Sequence, residues 1–158
     1  TEQIPEEDRH NLGRSYLLDR VAVMLGGRAA EKVVFNETTT GAGDDLKNST
    51  QLIRRMVCQW GMSDKVGPMV LNQGEAHPFL GREISEPRNF SEYTARLVDD
   101  EIRRITKEMQ EKVEKLLSDN REKLDALVKA LLEHETIGDE IIDEIIGTPA
   151  PSRRAAAN

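Results

Sequence analysis

Apolar residues in the last third of the chain recur at steps of one, three and four. Leu97, Val98, Ile102, Ile105, Met109, Val113, Leu116 and Leu117 form the longest such stripe. That spacing keeps apolar side chains on one slowly drifting face of a helix, whereas a strand would scatter them over both faces. The stripe therefore predicts a long helix, with Ser91 as its cap. Ser118-Asp119-Asn120 breaks the pattern, and Leu124, Leu127, Val128, Leu131 and Leu132 resume it. The two stretches predict a helical hairpin. Ile141, Ile142, Ile145 and Ile146 mark a last short helix that Gly147 ends. Only six of the 158 residues are aromatic and 32% are charged. That balance suits a helical, soluble domain more than a sandwich or a barrel.

Upstream, Leu17, Leu18, Val21, Ala22 and Leu25 predict a helix from about Ser15. Gly26-Gly27 is expected to interrupt it, as a stop or a close-packing point, before a second short helical stripe over Arg28 to Phe35. Asn36 to Gly43 mixes three threonines with two glycines and reads as a loop with a possible short strand. Leu46, Leu52, Ile53, Met56, Val57 and Trp60 then predict an amphipathic helix stopped by Gly61. Residues 62–90 are rich in Gly and Pro and read as irregular. The fold class expected is mainly α, with a small β element near residues 37–40 or 69–71. One domain is expected over residues 1–147, with 148–158 a disordered tail. A chain of roughly 150 residues can bury about 70% of its unfolded surface, enough for a core without staples.

Several function classes are excluded or left without support. The net charge of −7 argues against a general nucleic-acid binder, which needs a basic field. No apolar stretch approaches the roughly 20 residues of a membrane helix. The acidic N-terminus lacks the features of a signal peptide. It also lacks an initiator methionine, so the chain reads as a piece of a longer polypeptide. Cys58, the one cysteine, excludes a disulfide framework and reads as a buried thiol rather than a nucleophile. His10, His77 and His134 form no i, i+4 pair and read as surface or linker residues. Gly41-Ala42-Gly43-Asp44-Asp45 lacks the Lys-Ser/Thr of a phosphate loop, and its acids would repel phosphate.

Asp44-Asp45 is the best local candidate for chemistry. Two readings stay open on spacing alone. The pair caps a helix and compensates its dipole, or one carboxylate binds a metal, an oxygen ligand of the kind zinc takes beside two histidines.

Pro5-Glu6-Glu7-Asp8-Arg9, Leu18-Asp19-Arg20-Val21-Ala22-Val23-Met24-Leu25-Gly26-Gly27-Arg28-Ala29-Ala30-Glu31 and Thr39-Thr40-Gly41-Ala42 with Asp45 resemble the peptidase domain of the FtsH family of membrane-anchored AAA+ zinc proteases. Arg55-Met56-Val57, Trp60-Gly61-Met62-Ser63, Gly67-Pro68, Phe79-Leu80-Gly81-Arg82, Thr94-Ala95-Arg96-Leu97-Val98-Asp99 and Glu135-Thr136-Ile137 continue the likeness, which covers roughly residues 2–146. The resemblance implies a helical zinc endopeptidase domain. It makes Asp45, not Asp44, the third ligand of one zinc ion (Zn2+), beside two histidines of an upstream H-E-x-x-H helix whose glutamate is the general base. No catalytic residue is then expected in this chain, which alone would be inactive. Thr38, Thr39 and Thr40 would offer a main-chain edge to substrate.

The resemblance further implies ATP and Mg2+ in an upstream ATPase domain, a homohexamer, and membrane and soluble protein substrates. The place implied is the cytoplasmic face of an inner membrane or its organelle equivalent, with the membrane met only through a segment outside this chain. An alternative keeps the ring and loses the catalysis, leaving a helical scaffold. A third reading is an acidic helical adaptor unrelated to proteolysis.

Overall fold

The computed structural model describes residues 12–71, 76–79, 82–85 and 89–147, the two short stretches by their main chain only. Five helices and one β-hairpin are present among them: α1 (Arg14–Phe35), α2 (Gly43–Cys58), β1 (Ala76–Phe79), β2 (Arg82–Ser85), α3 (Glu92–Asp119), α4 (Arg121–His134) and α5 (Asp139–Ile146). The mainly helical class is as expected. The chain divides into two compact units, residues 1–114 and 115–158.

In the first unit α1 runs unbroken through Gly26-Gly27, against the interruption expected there. Leu17, Val21, Leu25 and Ala29 are all buried, four apart on one face. Each large aliphatic side chain contributes about 1.5–3 kcal/mol on burial. The two glycines cost about 0.5–1 kcal/mol each in a helix interior, so burial wins. Nor are they close-packing points, because a Cβ at either would meet nothing within 4 Å.

Val21 and Leu25 pack with Ile53, Val57 and Cys58 of α2 and with Val98, Ile102, Ile105 and Met109 of α3. Val66 and Leu71, on the segment after α2, complete this core. Cys58 is buried as expected, while Trp60 remains partly exposed. Ser91 caps α3 as expected, its Oγ accepting the Thr94 amide at 3.3 Å.

The small β element lies at 76–85, not near 37–40 or 69–71. β1 and β2 pair antiparallel, with Ala76 opposite Ser85 and Phe79 opposite Arg82. At 37–42 the chain forms a loop and a 3₁₀ turn, Thr40–Ala42. At Leu71 the amide donates to the Cys58 carbonyl at 2.8 Å, so the chain there pairs with a helix end instead of a strand.

Glu101 enters the core on α3, only 2% exposed. Its carboxylate accepts the Ser63 hydroxyl at 2.9 Å and two Arg104 nitrogens at 2.8 and 2.7 Å. The Arg104 bonds are the main reason its carboxyl is held below the usual range, with Ser63 and the Lys65 charge adding and burial opposing. A buried carboxylate needs such partners to stay charged.

In the second unit, no side chain of the described residues is buried. Leu116, on the sequence stripe, is exposed. Lys123 Nζ donates to the Ile146 carbonyl at 2.6 Å, placing a cation at the negative end of α5. Gly147 ends α5 with φ at 90°. The expected tail, 148–158, lies outside the described residues, as do residues 1–11.

Gly61 turns the chain out of α2 with φ at +59°, and a Cβ there would lie 3.0 Å from the Pro68 Cα. The turn brings the Met62 amide to the Met56 carbonyl at 2.8 Å. A left-handed L-residue costs about 1–2 kcal/mol before any clash. Gly61→Ala is therefore expected to lower stability by about 2 kcal/mol. Urea unfolding of parent and variant checks this, and equal midpoints would remove the strain.

Candidate metal centre

The site is built where α1 hands over to α2. Asn36 closes α1 in the left-handed conformation, φ 53° and ψ 29°, its amide donating to the Lys32 carbonyl. Asparagine is among the few residues that adopt this shape routinely. Thr39 is extended, φ −105° and ψ 173°. Its amide donates to Glu31 Oε2 at 2.9 Å, and its hydroxyl donates to Glu31 Oε1 at 2.9 Å. The same Thr39 Oγ1 accepts the Gly41 amide at 3.2 Å. The Gly43 amide then donates to the Thr40 carbonyl, and α2 begins.

Asp44 and Asp45 fall in the first turn of α2, where the helix dipole favours negative charge. Of the reading as cap and dipole compensation, the dipole part stands beside the metal reading. The residue before α2 is Ala42, and no side chain caps the helix. Asp45 is exposed, and its side chain takes part in no hydrogen bond or ion pair with any described residue. Its carboxylate oxygens are committed to no described residue. A free carboxylate at a helix start has the hard-oxygen chemistry of a single zinc ligand, so Asp45 fits that role.

It does not form a site by itself. Among the described residues no three His, Cys, Asp or Glu side chains cluster to hold a metal. His134 is exposed in the last turn of α4. His10 lies outside the described residues, and His77 is described only as main chain in β1. Thr38, Thr39 and Thr40 are exposed on the loop directly before α2, so the candidate edge and Asp45 share one segment. The edge is irregular rather than a strand, because Thr39 is held by Glu31 and caps the 3₁₀ turn.

Sequence reasoning missed Glu31. The only signal for it is a carboxylate in the last turn of α1, eight positions before a threonine. The Thr39 amide, then the Thr39 hydroxyl, hold the Glu31 carboxyl below its ordinary value, with the Arg28 charge adding.

Comparison with known proteins accords with this architecture. The profile of peptidase family M41 matches residues 1–145. The chain is 60% identical over 145 residues to the ATP-dependent zinc metalloprotease FtsH of Nitrosococcus oceani, covering 92% of this chain and 23% of that protein. It is 56% identical over 158 residues to the ATP-dependent zinc metalloprotease FtsH 4 of Sphaerobacter thermophilus, covering 99% of this chain and 24% of that protein. The chain belongs to peptidase family M41. It spans about a quarter of the length of these relatives.

The Glu31 contact has a sign that pH reveals. A carboxyl whose folded value is depressed contributes stability that is full above its unfolded value and lost as pH falls through the folded one. The hold on Thr39 is therefore expected to release only below the ordinary 4.5. Carbon NMR of the Glu31 carboxyl, with Thr39 amide exchange, checks this. A midpoint at or above 4.5 would remove the contact.

Proposed function

We propose that this chain is the C-terminal part of the catalytic domain of an ATP-dependent zinc metalloendopeptidase, with Asp45 as the third zinc ligand. The observation that carries the reading is the Asp45 carboxylate, presented uncommitted at the start of α2 in a chain of peptidase family M41. The relatives' names supply zinc, ATP dependence and proteolysis, and those properties are carried over to the complete polypeptide. Two histidines and a general-base glutamate on an upstream H-E-x-x-H helix would complete the site. Bound zinc would supply a Lewis acid and bring the pKa of water toward neutrality.

The loop beside Asp45 is read as the substrate edge. Extended peptides pair with exposed main chain and need no particular side chains. The Thr39 amide is already taken by Glu31. The Thr40 carbonyl is taken by the Gly43 amide, which leaves the main-chain groups of Thr38 and the Thr40 amide on either side of Thr39. Such pairing suits a protease that takes unfolded membrane and soluble proteins with little sequence preference.

The rest of the reading concerns the complete protein and rests on the family resemblance. ATP and Mg2+ would act in an upstream ring that unfolds substrate and threads it inward. The assembly would be a homohexamer. It would sit at the cytoplasmic face of an inner membrane, or its organelle equivalent, anchored by a segment outside this chain.

In the complete protein, Asp45→Asn is expected to abolish hydrolysis of an unfolded polypeptide and to leave substoichiometric zinc, while ATP hydrolysis continues. Asp44→Asn is expected to keep both zinc and hydrolysis. Full zinc and hydrolysis in the Asp45 variant would sink the ligand assignment and favour the scaffold. Thr38→Pro, which removes one amide from the edge, is expected to raise KM severalfold with zinc content unchanged. An unchanged KM would move the substrate edge elsewhere.

A further inference from the structure

Other carboxylates of the first unit meet cations. Glu101 and Glu108 meet Arg104, and Glu114 meets Lys32. Glu31 forms no ion pair with a described residue. Both its oxygens are spent on one uncharged residue, the amide and hydroxyl of Thr39.

Those bonds do not stop at Thr39. The hydroxyl that donates to Glu31 also accepts the Gly41 amide at 3.2 Å. Gly41 is the middle residue of the 3₁₀ turn, and that turn runs without a break into α2. Asp45 is the third residue of α2. An unbroken run of hydrogen bonds and helical turn therefore connects the last turn of α1 to the first turn of α2. Two further restraints act at its ends, the Asn36 amide on the Lys32 carbonyl and the burial of Ala42. Between them, among the described residues, the side-chain hydrogen bonds of the loop pass through Thr39.

We propose that Glu31 is a positioning residue for the metal-binding end of α2, acting through the Thr39 hydroxyl on the turn that precedes Asp45. The proposal rests on the reading of Asp45 as a zinc ligand. Glu31 itself touches no metal. It acts as a fixed acceptor on α1, against which the helix start is set. A charged acceptor suits this role, because hydrogen bonds to an ionised carboxylate are roughly twice as strong as neutral ones. The loop pays less entropy on metal binding when its conformation is already held. Loss of an outer partner of a metal ligand typically lowers affinity about 10–100-fold.

The test measures zinc affinity by chelator competition in the complete protein, with thermal unfolding of the metal-free form beside it. Glu31→Gln and Thr39→Val are each expected to weaken zinc about tenfold or more. The double variant is expected to be no weaker than the worse single one, because both break the same relay. Thr39→Ser, which keeps the hydroxyl, is expected to retain the parent affinity. Glu37→Gln, a charge change on the same loop at a residue bonded to no described partner, is expected to do the same.

Parent-like affinity in Thr39→Val, or fully additive losses in the double variant, would overturn the proposal. Should Glu31→Gln fail to fold, Thr39→Val against Thr39→Ser decides it. Asp45→Asn separates the two readings. If that variant holds zinc as the parent does, the ligand assignment fails. If it loses zinc while Glu31→Gln and Thr39→Val keep it, the positioning role alone fails.

Discussion

Everything at the start of α2 depends on α1 staying helical across Gly26-Gly27. Four side chains at a spacing of four, Leu17, Val21, Leu25 and Ala29, are buried along one face. That burial outweighs the backbone freedom of two glycines. An interruption there would leave Arg28 to Phe35 as a separate two-turn piece, short of what an isolated helix needs. Continuity instead delivers Glu31 in a fixed direction from the core. The loop that follows is then shaped against a rigid surface, and α2 starts from a set place.

The long helices were legible because their signal is periodic and redundant. Eight apolar residues on α3 carry the same message, so no one of them decides it. The Ser91 cap was legible for the opposite reason: one hydroxyl before a helical stripe has one obvious partner, the amide three residues on. The glycine pair misled because local propensity favours a break, and only tertiary burial overrides it. The β element was misplaced for a similar reason. Threonines at 38–40 favour extended backbone, yet Thr39 spends its amide and hydroxyl on Glu31. Nothing in a linear reading joins residue 31 to residue 39. A ligand role for Asp45 is implied by family likeness alone; spacing also offers helix capping and dipole compensation, and α2 starts without a side-chain cap from Ala42.

The acidic balance of the chain also finds a local use. Glu101 is desolvated on the inner face of α3 and answered by Arg104 and Ser63. Such a group adds little net stability over an apolar residue of its shape, since desolvation offsets most of the attraction. What it adds is selectivity of arrangement: Ser63 and α3 must meet in one register for the carboxylate to be satisfied. The Ser63 hydroxyl in turn accepts the Val66 amide at 3.3 Å, so the same contact orders the turn leading away from Gly61.

That turn clamps the far end of α2. The Met56 carbonyl is taken by Met62 and the Cys58 carbonyl by Leu71, while Ile53, Met56 and Val57 are wholly buried. The helix thus behaves as a lever seated at its C-terminal end, with its other end reaching into solvent. Tilting it would unseat the core, so α2 resists moving as a body. The setting of its first turn then belongs to the seven residues between the helices, through the Thr39 contact with Glu31. The two ends of α2 are thus held by different means, apolar burial at one and hydrogen bonds through a short loop at the other, so seat and setting are borne by different parts of the chain.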